Sequence, residues 1–208
     1  MPSRPGILLA LSAPRGLGKV TLCQALLDRE PEARLSVSCT TRPRHAREIE
    51  GFDFYFVSDQ EFKRQAESGG FLEWVEIKGL FYGTPRTPLL ENLAAGRDVI
   101  LNVDTQGAQT VKKEFPDTVL VFVSPPTVES LVIRLKSLDS THPENLPDRL
   151  SRAREDLAMA PRYDYVVLSD GLAEAADELS AILRAERRRA RWSESEITQL
   201  IQTPPPLD

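Results

Sequence analysis

A turn with two glycines and a lysine lies near the start of the chain. An apolar run from Ile7 to Leu11 predicts a buried strand, and the turn after it contains Gly16, Gly18 and Lys19. Glycines let successive backbone N–H groups point into one concavity, and the amino terminus of a following helix adds its dipole. Because Lys19 adds a full positive charge, this order of strand, turn and helix predicts a phosphate-binding loop.

The match to the usual pattern of such a loop, G-x-x-x-x-G-K-[ST], is partial. Ala13 replaces the first glycine, and Val20 stands where a hydroxyl normally holds magnesium. Thr21 is the nearest remaining hydroxyl and is therefore our candidate for contacting Mg²⁺ through a water. Taken alone, the segment could also be an ordinary strand-to-helix turn. The candidate loop residues are Ala13, Pro14, Arg15, Gly16, Leu17, Gly18, Lys19, Val20 and Thr21.

A second candidate for chemistry is Asp104, which follows a buried strand predicted from Asp98 to Val103. Strands alternate with helices along most of the chain, which indicates a parallel sheet covered on both faces. In such sheets ligands bind beyond the carboxyl ends of the strands. We therefore expect Asp104 and the glycine turn to lie at the same edge, although Asp104 could also simply cap the following helix.

Residues 38–85 break the alternation because they are rich in strands. A strand is predicted over 34–39, a second over the aromatic run 52–57 and a third over 71–77, with a helix between the last two. We interpret this part as an inserted α+β subdomain. Residues 137–147 lack apolar periodicity and predict an exposed loop, which separates two further helices.

The carboxyl-terminal part of the chain predicts one more strand and a long helix. Tyr165 to Leu168 forms the last core strand, and the helix is expected from Leu172 to Trp192, with several arginines near its end. The positive charges of these arginines would stabilise the carboxyl terminus of a helix. Such a cluster is more typical of a solvated face than of a binding patch. The three prolines after Thr203 predict a disordered end.

Composition excludes several classes of function. The chain has 208 residues, 41% of them hydrophobic, and a formal charge of −5, so we expect one acidic globular domain rather than a partner of nucleic acids or anionic membranes. The two cysteines, Cys23 and Cys39, form no zinc-binding pattern, and together with the expected lack of a signal sequence they favour a cytoplasmic location. No apolar run is long enough to span a membrane.

Taken together, these segments resemble the guanylate kinases, which phosphorylate GMP with ATP. The resemblance runs from about Gly6 to Glu186 and is carried by SAPRGLGK, SVSCTTR, FLEW, YGT, VDTQGA, VSPP and the Arg149–Leu150 pair. It implies an α/β fold of the P-loop nucleoside monophosphate kinase type, in which a parallel-sheet core carries an inserted GMP-binding subdomain and a small lid. The implied divisions are core 1–37, GMP-binding subdomain 38–86, core 87–136, lid 137–148, core 149–192 and a flexible tail 193–208.

The resemblance also implies how GMP would be recognised. Guanine presents an N1–H and an amino group as donors, and a carboxylate is an acceptor-only partner. Adenine lacks this pair of donors, so a buried carboxylate would discriminate against it. The residues implied to contact the base are Ser38, Glu73, Thr84 and Asp104. Those implied to lie around the GMP phosphate are Arg42, His45, Phe54 and Tyr82.

ATP would be bound by the glycine turn, and the resemblance implies three catalytic cations. Lys19 would hold the ATP phosphates, while Arg134 and Arg149 match lid arginines that neutralise the transferring phosphoryl group. Mg²⁺ is implied as the cofactor that accompanies ATP, and the protein is expected to be a monomer or a homodimer. Taken singly, Glu73 could be a solvent-facing strand residue, Tyr82 a turn aromatic, and either lid arginine a surface charge.

Several positions depart from the pattern of the family. The usual residues are a serine, a small or hydroxyl residue, an arginine, a glycine, a tyrosine, an acid, an arginine and an asparagine. Their replacements here are Arg15, Val20, His45, Arg47, Phe54, Asn102, Leu138 and Ser169. These changes predict reduced or altered turnover. The alternative function is a degenerate module that binds a nucleotide or a protein without catalysis, but such modules tend to lose the phosphate loop that Lys19 retains here.

Overall fold

A computed structural model describes residues 4–14, 17–137 and 145–202. The strands in this part of the chain are β1 Leu8–Ser12, β2 Arg34–Leu35, β3 Cys39–Thr40, β4 Tyr55–Phe56, β5 Phe71–Ile77, β6 Leu80–Pro85, β7 Val99–Asn102, β8 Val119–Ser124 and β9 Tyr165–Leu168. The α-helices are α1 Lys19–Arg29, α2 Asp59–Glu67, α3 Arg86–Ala94, α4 Thr105–Glu114, α5 Val128–Ser137, α6 Leu146–Leu157, α7 Leu172–Glu186 and α8 Glu194–Gln202. The predicted α/β fold is confirmed.

A five-stranded parallel sheet forms the core, in the order β2-β7-β1-β8-β9. Strand β1 is the middle strand of this sheet. All five of its residues are buried, as expected for a strand covered on both faces. Helices α1 and α7 pack on one face through Leu26 and Leu179. Helices α3 and α4 cover the other face through Leu89 and Val111. The carboxyl ends of β1 and β7 therefore lie side by side at one edge.

A second sheet, in the order β4-β3-β6-β5, is built from residues of the strand-rich segment. Its own small core consists of the stacked rings of Phe62, Phe71 and Phe81, which lie behind the antiparallel pair β5 and β6. Helix α2 supplies Phe62. Its amino terminus is capped by Ser58, whose hydroxyl accepts a hydrogen bond from the backbone N–H of Glu61.

Two sequence predictions in this segment were wrong in detail. The strand expected over 34–39 is divided, because β2 pairs with β7 in the central sheet whereas β3 pairs with β4 and β6 in the second sheet. The strand expected over 52–57 is reduced to the two residues of β4, because residues 51–53 form a turn that brings the Gly51 N–H to the carbonyl of Phe54. Local patterning cannot show which sheet a residue will join.

The carboxyl-terminal region also differs from expectation. The helix expected over 172–192 ends at Glu186, and a separate 3₁₀ turn covers Ala190–Trp192 after an extended Arg189. The segment 193–208 was expected to be a flexible tail, yet it contains α8; residues 203–208 are not described. Within the expected lid, residues 138–144 also lie outside the described part of the chain. Among the residues described, no helix has the length and apolarity needed to cross a membrane.

A buried ionic network links several elements at the end of the core where the strands β1 and β7 begin. Glu30, at the end of α1, accepts hydrogen bonds from Ser180 and from Arg187 Nη1, the latter at 2.6 Å. Arg187 Nε lies 2.6 Å from Asp98, which also accepts from the backbone N–H of Ile7. Burial raises the pKa of Glu30, but the hydrogen bonds from Ser180, Arg187 and Arg184 outweigh it and lower that pKa. The network ties α1, α7 and β1 together.

We expect Glu30→Gln to lower the free energy of unfolding by about 2 kcal/mol, because Arg187 would lose one of its two carboxylate partners in a largely buried place. The loss stays below the value for a fully buried pair because the guanidinium is 21% exposed. Urea unfolding followed by circular dichroism measures the change. Glu32→Gln, on the exposed turn nearby, is the matched control and should be neutral. Equal stability of the two variants would contradict a stabilising role for the network.

Candidate active site

The glycine turn leads directly into α1 at the carboxyl end of β1. Gly18 occupies the position before the helix with φ 74°, a left-handed conformation that favours glycine, and no side chain caps the helix. The backbone N–H groups of the first turn therefore have no side-chain partner at the cap and can meet an anion. Lys19 is the first residue of α1. Arg15 and Gly16 lie outside the described residues.

A cavity of about 370 Å³ opens beside this turn. The predicted loop residues that line it are Ala13, Leu17, Gly18, Lys19 and Thr21. Its far wall is formed by the ends of β8 and β9 and by the start of α7. Most of that wall is apolar, which suits a flat base, while the charged and backbone groups gather at the glycine turn. Pro14 is buried and does not line the cavity.

Arg134 lines the same cavity, but its guanidinium contacts the backbone. Its Nη2 donates to the carbonyl oxygen of Asp170, and a longer contact of 3.5 Å reaches Ser169. Arg149 lines neither this cavity nor the next one, and its Nη1 donates to the carbonyl oxygen of Leu135 at 3.0 Å. Both arginines thus fix the geometry around α5 in this structure. Leu138 lies outside the described residues.

A second cavity, of about 680 Å³, lies between α1 and the second sheet. Of the residues expected at the GMP site, those lining it are Ser38, Phe54, Glu73, Tyr82 and Asp104. Glu73 comes from β5 in the insertion and Asp104 from the end of β7 in the core. The cavity therefore brings together residues from the two sheets at the edge where the sequence predicted them to meet.

Two of the four carboxylates that line this cavity in the described part of the chain, those of Glu73 and Asp104, lie close together. Glu73 Oε1 accepts a hydrogen bond of 2.6 Å from the hydroxyl of Thr84, and Asp104 Oδ1 accepts one of 2.7 Å from the backbone N–H of Gly107. A Cβ at Gly107 would lie 3.3 Å from both Glu73 Oε2 and Asp104 Oδ1, so a glycine leaves room for the pair. Asp104 is thus a helix cap and a cavity residue at once.

The surroundings perturb Glu73. Burial is the main cause that raises the pKa of this carboxyl, and the nearby charge of Asp104 raises it further, while the hydrogen bond from Thr84 acts in the opposite direction. Thr84 itself is buried and does not line the cavity, so it acts through Glu73. A half-buried acceptor pair of this kind suits a ligand with two adjacent N–H donors.

Arg42 is held in place by a carboxylate and two rings. Its guanidinium makes a two-pronged contact with Glu48, at 3.0 Å and 2.6 Å, and lies 5.4 Å from the ring centre of Phe54 and 5.7 Å from that of Phe56. The hydrogen bond from Arg42 lowers the pKa of Glu48 to about 2. His45 is exposed and lines neither cavity; its backbone N–H donates to Glu48.

The first turn of α1 separates the two cavities. Lys19 and Thr21 line the smaller cavity, whereas Val20, between them, lines the larger one. Successive side chains of a helix point about 100° apart, so neighbouring residues can face opposite walls. Ligands held in the two cavities would therefore meet at this turn. The expectation that Val20 lines the ATP site was wrong, because its side chain faces the other side.

Donor groups for a metal ion are few beside Lys19. Val20 has no oxygen, Asn102 offers a neutral amide, and Asp104 is engaged by Gly107. Among the residues described, no three His, Cys, Asp or Glu side chains are arranged to hold a metal ion. Magnesium prefers carboxylate, phosphate and water oxygens. The donor set therefore does not fit a protein ligand at the usual position after Lys19. The oxygen-bearing side chains that line the smaller cavity are those of Thr21, Ser124, Ser169 and Asp170.

Sequence reasoning missed some residues that shape the site. Glu48 is the partner of Arg42, and a single carboxylate inside an arginine-rich run was the available signal. Gly107 sits in the first turn of α4, and a glycine inside a helical pattern indicates close approach of another group. Asp170 and Leu172 line the smaller cavity but carry no local signal in the sequence. They reach the cavity only because β9 pairs with β8, which in turn pairs with β1.

Comparisons with known proteins identify the family of this chain. Residues 5–186 match the family model described as Guanylate kinase. A guanylate kinase of Symbiobacterium thermophilum is 45% identical over 190 residues, which cover 91% of this chain and 90% of that protein. One from Maricaulis maris is 42% identical over 203 residues, covering 96% and 93%. The crystal structure of guanylate kinase from Anaplasma phagocytophilum superimposes with a TM-score of 0.76 at 33% identity, covering 94% of this chain and 95% of that one. The chain belongs to the guanylate kinase family.

Proposed function

We propose that this chain transfers the γ-phosphoryl group of ATP to GMP, giving ADP and GDP. The observation that carries the proposal is the first turn of α1, which stands between a cavity bordered by the glycine turn and a cavity that holds the carboxylate pair of Glu73 and Asp104. A donor and an acceptor nucleotide bound there would bring their phosphates together. Phosphoryl transfer needs alignment and electrostatic stabilisation more than covalent chemistry, so such a meeting point suffices.

On the acceptor side, we assign the base to Glu73 and Asp104, which would accept from the N1–H and amino group of guanine. Thr84 keeps Glu73 oriented, because its hydroxyl donates to the oxygen that does not face Gly107. Ser38 lines the same cavity and would complete the contacts to the base. Adenine has neither the N1–H nor the 2-amino group of guanine and would leave this half-buried pair incompletely paired, which disfavours AMP as an acceptor.

The GMP phosphate would be bound by Arg42 and Tyr82. Glu48 holds the guanidinium of Arg42 in place before the substrate binds. Phe54 lacks the hydroxyl that the family usually has here, but its ring still supports Arg42. His45 replaces the second arginine of this subsite, and Arg44, whose Nη1 donates to the carbonyl oxygen of Glu48, is the candidate to replace its charge.

On the donor side, Lys19 and the backbone of the glycine turn would hold the phosphates of ATP, with the base between the ends of β8 and β9. Arg134 and Arg149 are assigned to the transferring group, which requires both to leave their present carbonyl partners. Mg²⁺ would arrive bound to ATP, and no step of the protein is assigned to it. The residues that carry the reaction are thus Lys19, Arg134 and Arg149.

A degenerate module without catalysis is not favoured. Such a module needs no donor site, yet Lys19, Gly18 and the cavity beside them are retained. The relatives that cover nine-tenths of the chain are named guanylate kinases. A coupled assay of ADP release with GMP, dGMP, AMP and UMP tests the proposal, and absence of a GMP-dependent signal at high protein concentration would contradict it.

We expect Glu73→Gln to raise the dissociation constant for GMP about 100-fold, the equivalent of one strong charge-assisted hydrogen bond, because an amide cannot accept from both guanine donors as a carboxylate does. ATP affinity should stay within a factor of about two, since Glu73 does not line the smaller cavity. Calorimetry measures both constants. Glu76→Gln, on the exposed part of the same strand, is the matched control. Equal weakening of GMP and ATP would remove Glu73 from base recognition.

Lys19→Ala should reduce turnover by at least about 10³-fold, because the ammonium group is the fixed charge at the first turn of α1 and stabilises the transferring phosphates. The melting temperature should not change greatly, since Lys19 is only half-buried. Lys113→Ala, an exposed lysine on α4, is the control for loss of a positive charge. Turnover within a factor of about ten of the original protein would exclude the loop from the mechanism.

GMP affinity should fall as the pH is lowered, and it should do so at a higher pH than an ordinary glutamate would cause. The reason is that burial raises the pKa of Glu73, and the protonated carboxyl loses an acceptor site. The GMP phosphate itself titrates near pH 6, so the comparison is between the original protein and Glu73→Gln, in which only the phosphate contributes. Calorimetric titrations between about pH 5 and pH 8 measure both profiles. Parallel profiles would contradict the assignment.

A further inference from the structure

Apolar side chains line the larger cavity from both of its sides. On the side of α1 these are Val20 and Leu27, which share one face of the helix because they lie about two turns apart. On the side of the insertion they are Phe52 and Ile77. Val20 is 65% exposed, Phe52 64% and Ile77 49%, so much of this apolar surface is open to solvent. Large apolar side chains that are exposed together commonly mark a contact surface.

The side chain that follows the loop lysine belongs to the acceptor side of the site. Lys19 and Thr21 line the smaller cavity, whereas Val20 between them lines the cavity that holds Glu73 and Asp104. In phosphate-binding loops this position normally provides a hydroxyl to the donor nucleotide and its ion. A valine offers apolar surface instead, and here it offers that surface to the acceptor cavity.

The proposed reaction requires the loop that carries Phe52 to approach Val20. The phosphate of GMP has to reach the first turn of α1, where the donor phosphates would be held. Phe54, whose ring supports Arg42 in the proposed subsite for that phosphate, lies two residues after Phe52. A subsite that comes to the first turn of α1 therefore brings Phe52 with it. Val20 extends from that turn into the same cavity, so it is the apolar group that Phe52 would meet.

We propose that Val20 is a positioning residue for the acceptor nucleotide, and that its side chain packs against Phe52 when GMP is bound. The inference rests on the proposed function, since it assumes that GMP occupies the larger cavity. The contact removes apolar surface of both side chains from water, so it adds to the affinity for GMP without touching the nucleotide. Binding of ATP does not require this contact, because Lys19 and the backbone of the glycine turn face the smaller cavity.

The test is a double-mutant cycle on the full chain. Calorimetry gives the dissociation constants of GMP and of ATP for Val20→Ala, Phe52→Ala and the double variant. Because both positions are exposed, neither substitution removes a side chain of the core. Ile49→Ala is the matched control, since Ile49 is 61% exposed on the same loop and does not line the cavity. The heat capacity change of GMP binding is a second readout, because burial of apolar surface makes it more negative.

We expect each single substitution to raise the dissociation constant of GMP about fivefold, the effect of losing part of one apolar contact. The double variant should be little weaker than either single variant, because the first substitution already removes the contact that the second would lose. The heat capacity change of GMP binding should be less negative in all three variants. ATP affinity in these variants, and GMP affinity in Ile49→Ala, should stay within about twofold of the original values.

Single effects that multiply to about 25-fold in the double variant would overturn the inference, since independent sites add in free energy. So would an unchanged affinity for GMP in Val20→Ala, or an equal loss of ATP affinity, which would place Val20 on the donor side. Coupling of the same size in urea unfolding without nucleotide would also overturn it, because the contact would then exist without GMP. Absence of GMP binding by the original protein would instead contradict the proposed function itself.

Discussion

The parallel pairing of β1 with β7 is the contact on which the site depends. Because Leu11 pairs with Asn102, the chain leaves both strands at the same level and on the same edge of the sheet. One exit becomes the glycine turn and the other becomes Asp104 at the start of α4. Neither group has to be carried to the site by a long loop, so their separation is fixed by a strand spacing of about 4.8 Å. The insertion then needs to place only Glu73 opposite this edge.

The carboxylate pair of Glu73 and Asp104 and the guanidinium of Arg42 are held in different ways. Burial, and to a smaller extent the nearby carboxylate of Asp104, raises the pKa of Glu73, and a ligand that donates hydrogen bonds to both carboxylates would offset this cost. Arg42 is held in the opposite way, since Glu48 already neutralises it. A phosphate arriving there competes with Glu48 or shares the guanidinium with it. The proposed base site is therefore formed before binding, whereas the proposed phosphate site requires Arg42 to exchange or share its partner.

Much of the fold and part of the site could be predicted from the sequence. The glycine turn, α1 and the edge position of Asp104 depend on local spacing and on the rule that parallel strands end together, so patterning was sufficient. The division of residues 34–40 between two sheets could not be foreseen, because it depends on partners more than forty residues away. The orientation of Val20 was missed for a related reason: sequence gives the order along a helix, but the walls that its faces meet belong to other elements.

The departures from the family pattern are distributed unequally between the proposed guanine contacts and the proposed phosphate and adenine contacts. The residues that we propose to contact guanine match the family pattern, and Thr84 and Gly107 support the pair of carboxylates. The replaced side chains described here lie instead on the phosphate and adenine sides, as Val20, His45 and Ser169 do. Where a contact has been lost, its framework often remains, since Phe54 still places a ring against Arg42 and the Ser169 hydroxyl still contacts Glu174. In the proposed site, selection of the acceptor base and binding of the phosphates are thus separable, because the carboxylate pair and the replaced side chains occupy different parts of it.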